Sequence, residues 1–143
     1  MSPFSEVNMR TWTRQEARAF AARWLPAWTG NDPERLGAFY ADDAFYSDPG
    51  IPAGVRGKAP LLAYFRKLLA RNPEWTWTQI EGIPMEGGFL NKWNAMIPVG
   101  DETVECVGVC LVQFDAAGLI SRNEVYFDRA ELLAAVQCAS RKR

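Results

Sequence analysis

The chain has no histidine. That removes the commonest general base and metal ligand, and it excludes Ser-His-Asp and Cys-His nucleophilic catalysis. Cysteine is scarce: Cys106, Cys110 and Cys138 are the three present. Cys106 and Cys110 lie four apart in what reads as a strand, so they share a face but sit roughly 13 Å apart, too far to bridge. A zinc site from cysteines alone would need a fourth ligand, and the spacing is wrong for one. Neither a metal nor a cofactor is expected. An excess of charge is missing too, with 16 basic against 17 acidic residues. No basic face is implied, so nucleic acid is not an expected partner. No apolar run approaches the roughly 20 residues that span a bilayer. Met1 to Arg10 has no apolar signal core. A cytoplasmic chain with no membrane partner is the expectation.

Apolar residues are plentiful, at 48% of 143. That predicts one domain with a sizeable core. Its expected bounds are 11–137, between a flexible N-terminus, 1–10, and a flexible basic tail, 138–143. Thr13 to Trp28 reads as a helix that opens with a capping box, Thr13 with Glu16. Ala17, Phe20, Ala21, Trp24 and Trp28 recur on one face, and Pro26 marks a kink or frayed end. A short helix follows at Pro33, and Gly57 to Arg71 is a third, with Leu61, Tyr64, Phe65, Leu68 and Leu69 as its stripe. Strands are predicted at Ala44 to Ser47, Trp75 to Glu81, Gly88 to Ile97, Thr103 to Phe114 and Leu119 to Phe127. Hairpin turns fit Val99 to Glu102 and Asp115 to Gly118. Asp128 caps a last helical segment through Val136. Helices followed by hairpin-linked strands imply an α+β fold. Both faces of Thr103 to Phe114 are apolar. Val107, Val109 and Leu111 on the second face predict contact with another subunit.

The segment Phe39 to Gly50, FYADDAFYSDPG, carries three acids. Asp42 and Asp43 are expected at a helix-to-strand turn. Asp48 ends an aromatic strand, Pro49 stops the pairing, and an irregular loop is predicted from Asp48 to Val55. A carboxylate against aromatic walls is a setting for a general base. The competing reading is an Asp that caps loop amides. Tyr46 shares the strand side with Asp48 and can donate to a ligand or to Asp48 itself. Trp24 and Trp93 are expected to face a pocket, as stacking surfaces or as plain core. Arg56 and Lys58 guard the pocket mouth or are solvated surface. Arg122, Glu124 and Tyr126 belong to the outer face.

The order of elements, FYADDAFYSDPG, GVRGKAPLLAYF and GLISRNEVYFDRAELL together resemble the SnoaL-like branch of the nuclear transport factor 2-like superfamily, over about residues 11 to 136. That resemblance implies a cone: a curved antiparallel sheet wrapped around three N-terminal helices and one deep apolar pocket, often a homodimer through the outer sheet face. By similarity to ketosteroid isomerase, the Asp base falls on Asp48. The tyrosine of that enzyme's oxyanion hole falls on Trp24, and its partner acid on Cys110, so the chain departs there. The last Asp of the limonene epoxide hydrolase triad falls on Val125, and the histidine of SnoaL-type cyclases has no counterpart. The resemblance implies a pocket lined by Trp24, Trp28, Tyr46, Asp48, Phe65, Trp93, Cys106, Cys110, Val112, Asn123, Val125 and Phe127. Asp48, with Tyr46, is the expected catalytic residue of a cofactor-free isomerase, cyclase or dehydratase acting on a small hydrophobic metabolite. The alternative is a non-catalytic binder with the same pocket.

Overall fold

A computed structural model describes residues 10–141. The expected flexible segment 1–10 therefore falls, except for Arg10, outside the described residues. α1 (Arg14–Trp24) begins at the predicted capping box: Thr13 Oγ1 accepts from the Glu16 N–H, and Glu16 reaches back to the Thr13 N–H. Pro26 then tightens the chain into a 3-10 turn, Leu25–Trp28, because its ring cannot continue the α-helical bonding. α2 (Pro33–Gly37) is capped by Asp32, and α3 (Lys58–Arg71) follows Gly57.

Six strands form one sheet: β1 (Tyr40–Asp48), β2 (Ile51–Arg56), β3 (Thr76–Met85), β4 (Gly88–Val99), β5 (Glu102–Phe114) and β6 (Ile120–Tyr126), in the order β2-β1-β6-β5-β4-β3. The sheet is mixed rather than antiparallel throughout, because β1 and β6 run parallel. Their long separation in sequence supplies the crossover that a parallel pair needs. Irregular registers in the β1/β2, β1/β6, β3/β4 and β5/β6 pairs give the bends that wrap the sheet round its helices.

Two local expectations are corrected. Asp42 and Asp43 are not at a helix-to-strand turn. β1 already starts at Tyr40, and both aspartates lie exposed where the β1/β6 register slips between Tyr40 and Phe45. The stretch after Asp48 is not an irregular loop but a tight hairpin into β2. β2 is an edge strand, where Pro52 removes no needed ladder donor. At Gly54, φ is +79°, and a Cβ there would stand 2.4 Å from the Phe45 ring. Glycine is thus required by conformation and by space.

The closed end of the cone is packed with rings: Trp12 stacks on Phe114 at 4.3 Å, and Phe20 meets Phe114 edge-on at 4.8 Å. The other end stays open. α4 (Ala130–Arg141) crosses it with none of its residues fully buried. It runs past Val136 to Arg141, so residues 138–141 of the expected tail are helical; residues 142–143 lie outside the described residues. No helix among the described residues is long and apolar enough to cross a membrane.

Candidate functional site

A cavity of about 150 Å³ opens between α1, α3, the sheet and the start of α4. Asp48 stands in its wall. The β1/β2 register slips between Tyr46 and Asp48, which re-aims the neighbouring side chains and lets both reach the cavity. The Tyr46 hydroxyl donates to Asp48 Oδ2 at 2.8 Å. The Tyr64 hydroxyl, from α3, lies 2.8 Å from both carboxylate oxygens. The N–H groups of Gly50 and Ile51 donate to Oδ1 at 2.7 and 3.1 Å. Asp48 is therefore a turn-capping residue and a cavity carboxylate at once. Burial first, and then the Asp48 charge, holds the Tyr46 hydroxyl well above the ordinary phenol range. Burial and the bond to Asp48 push Tyr64 up likewise. Both phenols are thus neutral donors at neutral pH.

A second set of polar contacts runs through the wall, where Cys110 and Asn123 line the cavity as expected. Tyr40 donates to Asn123 Oδ1 at 2.8 Å, and Asn123 Nδ2 donates to the Leu111 carbonyl at 3.3 Å. Gln79 donates to Asn91 at 2.9 Å, and Asn91 Nδ2 lies 3.7 Å from Cys110 Sγ. Burial pushes the Cys110 thiol up to about 12. It is neutral and a weak donor. The Trp24 indole N–H is buried with no acceptor in hydrogen-bond geometry, yet it lies near enough to Tyr40 to favour that phenol's anion. Trp24 lines the cavity as expected, but its indole N–H has no surface exposed there.

The remaining walls are aromatic and aliphatic. Trp28, Trp93, Val125 and Phe127 line the cavity, as do Trp75 and Trp77. Trp77 meets Trp93 edge-on at 4.6 Å, and Trp93 meets Phe127 at 5.3 Å. The Trp75 indole N–H is bonded to the Trp28 carbonyl. Among the described residues, no group of three or more Cys, Asp or Glu side chains is arranged to hold a metal ion.

Three residues expected in the lining stand outside it. Phe65 is buried behind the wall, wedged against Trp28, Tyr40 and Tyr46 at 5.2–5.3 Å. Val112 pairs with Phe89 toward the closed end, and Cys106 pairs with Ala95. Alternation puts Cys106, Cys110 and Val112 on one face, but from the first to the last is about 20 Å of strand, more than so small a cavity spans. Arg56 and Lys58 are occupied elsewhere. Arg56 lies over the Phe45 ring and donates to the Asp43 carbonyl, while Lys58 holds the carbonyls of Gly37 and Tyr40. Arg122 and Glu124 form an ion pair at 2.6 Å.

Sequence reasoning passed over Tyr64, Trp75, Trp77, Leu132 and Arg129, all in the lining. Tyr64 was legible as inward by helical spacing, and its polar tip beside a strand-end Asp was the available signal. Arg129 carried none, since it lies in a short link between β6 and α4 whose course only packing sets.

The model of the SnoaL-like domain matches residues 21–123. A steroid Δ-isomerase of Nocardioides simplex is 24% identical over 118 residues, covering 82% of this chain and 94% of that protein. A Catenulispora acidiphila protein with a ketosteroid isomerase-like fold, solved in complex with trimethylamine, superposes with TM-score 0.71 at 19% identity, covering 82% of this chain and 91% of that one. A SnoaL-like protein of unknown function from Burkholderia thailandensis gives TM-score 0.68 at 19% identity, covering 83% and 99%.

Proposed function

Because the chain belongs to the SnoaL-like domain family, we propose that its cavity is the active site of a cofactor-free, isomerase-type enzyme that moves a proton next to a carbonyl, with Asp48 as the base. The observation that carries this reading is the Asp48 carboxylate in the cavity wall, held by the hydroxyls of Tyr46 and Tyr64 and the N–H groups of Gly50 and Ile51. The printed activity of the Nocardioides relative supports it. The ionised carboxylate only accepts hydrogen bonds. When Asp48 takes a proton on Oδ2, that oxygen becomes a weaker acceptor, and a phenol that donated there is freer to turn. Tyr46 or Tyr64 is then released toward the substrate oxygen as negative charge builds on it. That is the moment at which a donor lowers the barrier. Asp48 returns the proton to a different carbon, and the double bond has moved.

The cavity is about 150 Å³, a size that holds one benzene ring. A small ring ketone fits it, and a steroid would protrude. The test is conversion of a small β,γ-unsaturated ketone to its conjugated isomer, followed by ultraviolet absorbance. Wild type should accelerate it, and Asp48→Asn should lose about 10²–10⁴ of the acceleration. An unchanged rate in Asp48→Asn sinks the assignment. The second reading, a non-catalytic binder, draws on the occupied donors: Asn123 is bonded within the wall and the Trp24 N–H is shielded from the cavity. Saturable quenching of tryptophan fluorescence by the ketone, without turnover, would favour it.

The same reading includes a homodimer through the outer face of the sheet. Val107, Met96, Ile80 and Tyr126 are exposed there, and Ile83, Leu90 and Leu111 lie in register on neighbouring strands.

A further inference from the structure

Gly50 lets the backbone pass close beside Asp48, Tyr64 and Arg129 in the cavity wall. A Cβ added there would stand 3.2 Å from Asp48 Oδ1, 3.2 Å from the Tyr64 hydroxyl and 3.6 Å from Arg129 Nη1. The Arg129 guanidinium lines the cavity and, among the described residues, makes no ion pair or side-chain hydrogen bond. The acids beside it in sequence, Asp128 and Glu131, form no ion pair with it, and Asp128 accepts from the Ala130 N–H. Arg71 is a second cation close enough to act on the Tyr64 phenol, as Arg129 does. Asp48 and Arg129 are the charged residues of the lining; Arg71 is exposed and outside it. Asp48 already takes four neutral donors, and Arg129 has no such partner. A ligand anion would give Arg129 the partner it lacks. An uncharged ligand would leave the half-buried guanidinium desolvated without a partner, which is unfavourable.

We propose that the cavity takes a ligand with a one-ring apolar body and a carboxylate, and that Arg129 pairs with that carboxylate at the cavity mouth while the ring lies among the tryptophans. The inference rests on the reading of this cavity as the functional site, and it names the substrate class that site prefers. Arginine suits the role because its planar fork engages both oxygens of a carboxylate. The pair sits at the mouth, so added salt weakens it.

Titration calorimetry with 3-phenylpropanoate and its uncharged primary amide tests the idea on the whole chain. Wild type should bind the acid about tenfold or more tightly than the amide, the gain expected of a hydrogen bond to a charged group. Arg129→Met keeps the apolar stem, so amide binding should persist and the preference for the acid should vanish. Arg129→Lys should restore part of it, and Asp48→Asn should retain it. Equal binding of acid and amide by wild type overturns the inference. So does a preference that survives Arg129→Met, or no acid binding at millimolar concentration. If the preference is absent while the ketone is still isomerised, only the carboxylate inference fails. If the preference is present but Asp48→Asn isomerises normally, only the base assignment fails.

Discussion

Asp48 shows how one residue serves two purposes. Its Oδ1 closes the β1–β2 hairpin through the Gly50 and Ile51 N–H groups, while Oδ2 meets the phenols. The sequence presented these as rival readings, and the hairpin geometry satisfies both. Cys110 is the contrasting case, a buried thiol in the cavity wall. Its folded value lies near 12 against 9 for the free group, so the folded state holds the proton more tightly. Stability from this source is full below pH 9 and is lost as pH rises toward 12, because the unfolded chain sheds the proton first. Tyr40, Tyr46 and Tyr64, also shifted upward, add to the decline from about pH 10. Melting temperature should fall from pH 9 upward, and Cys110→Val should flatten the part between pH 9 and 10. An unchanged slope in that variant would show that the thiol does not contribute.

At the scale of elements, β5 positions the pocket through what it omits. A Cβ on Gly108 would stand 2.5 Å from the Trp93 ring and 2.7 Å from Phe127 Cβ. The missing side chain lets Trp93 lie flat across β5 and form a cavity wall. Gly108→Ala should cost about 1–3 kcal/mol, the range for overpacking a filled core, measured by urea denaturation. It should also alter the fluorescence of the cavity tryptophans. A loss under 0.5 kcal/mol, within the range of ordinary surface substitutions, would mean that the ring shifts freely. α1, its capping box and the break near Pro26 were legible because caps and proline act locally. β2 was not, since Pro52 and Gly54 carry the composition of a loop. Only the edge position and the Phe45 ring beneath explain why they form a strand.

For the whole molecule, the outer sheet face remains to be covered. Ile80, Met96, Val107 and Tyr126 are each more than one-third exposed, and burying such a patch between two copies is favourable. Sedimentation should report a dimer at micromolar concentration. Val107→Asp should shift it to monomer by placing an unpaired charge in the interface. A wild-type monomer would dispose of the interface.

Composition and spacing by themselves determined the class of the molecule: an α+β chain, with no histidine chemistry available and Asp48 at the end of an aromatic strand. Those properties follow from local propensity, periodicity and residue inventory, which a linear sequence carries in full. Tertiary structure alone decided what surrounds Asp48. Tyr64 arrives from α3, Trp77 from β3 and Arg129 from the link before α4. It also decided that Cys106 and Val112, on the same strand face as Cys110, lie outside the cavity. The reason is physical: a cavity is the volume that packing leaves unfilled, so its lining depends on how far each strand curls and where each helix rests. No residue's own identity contains that distance.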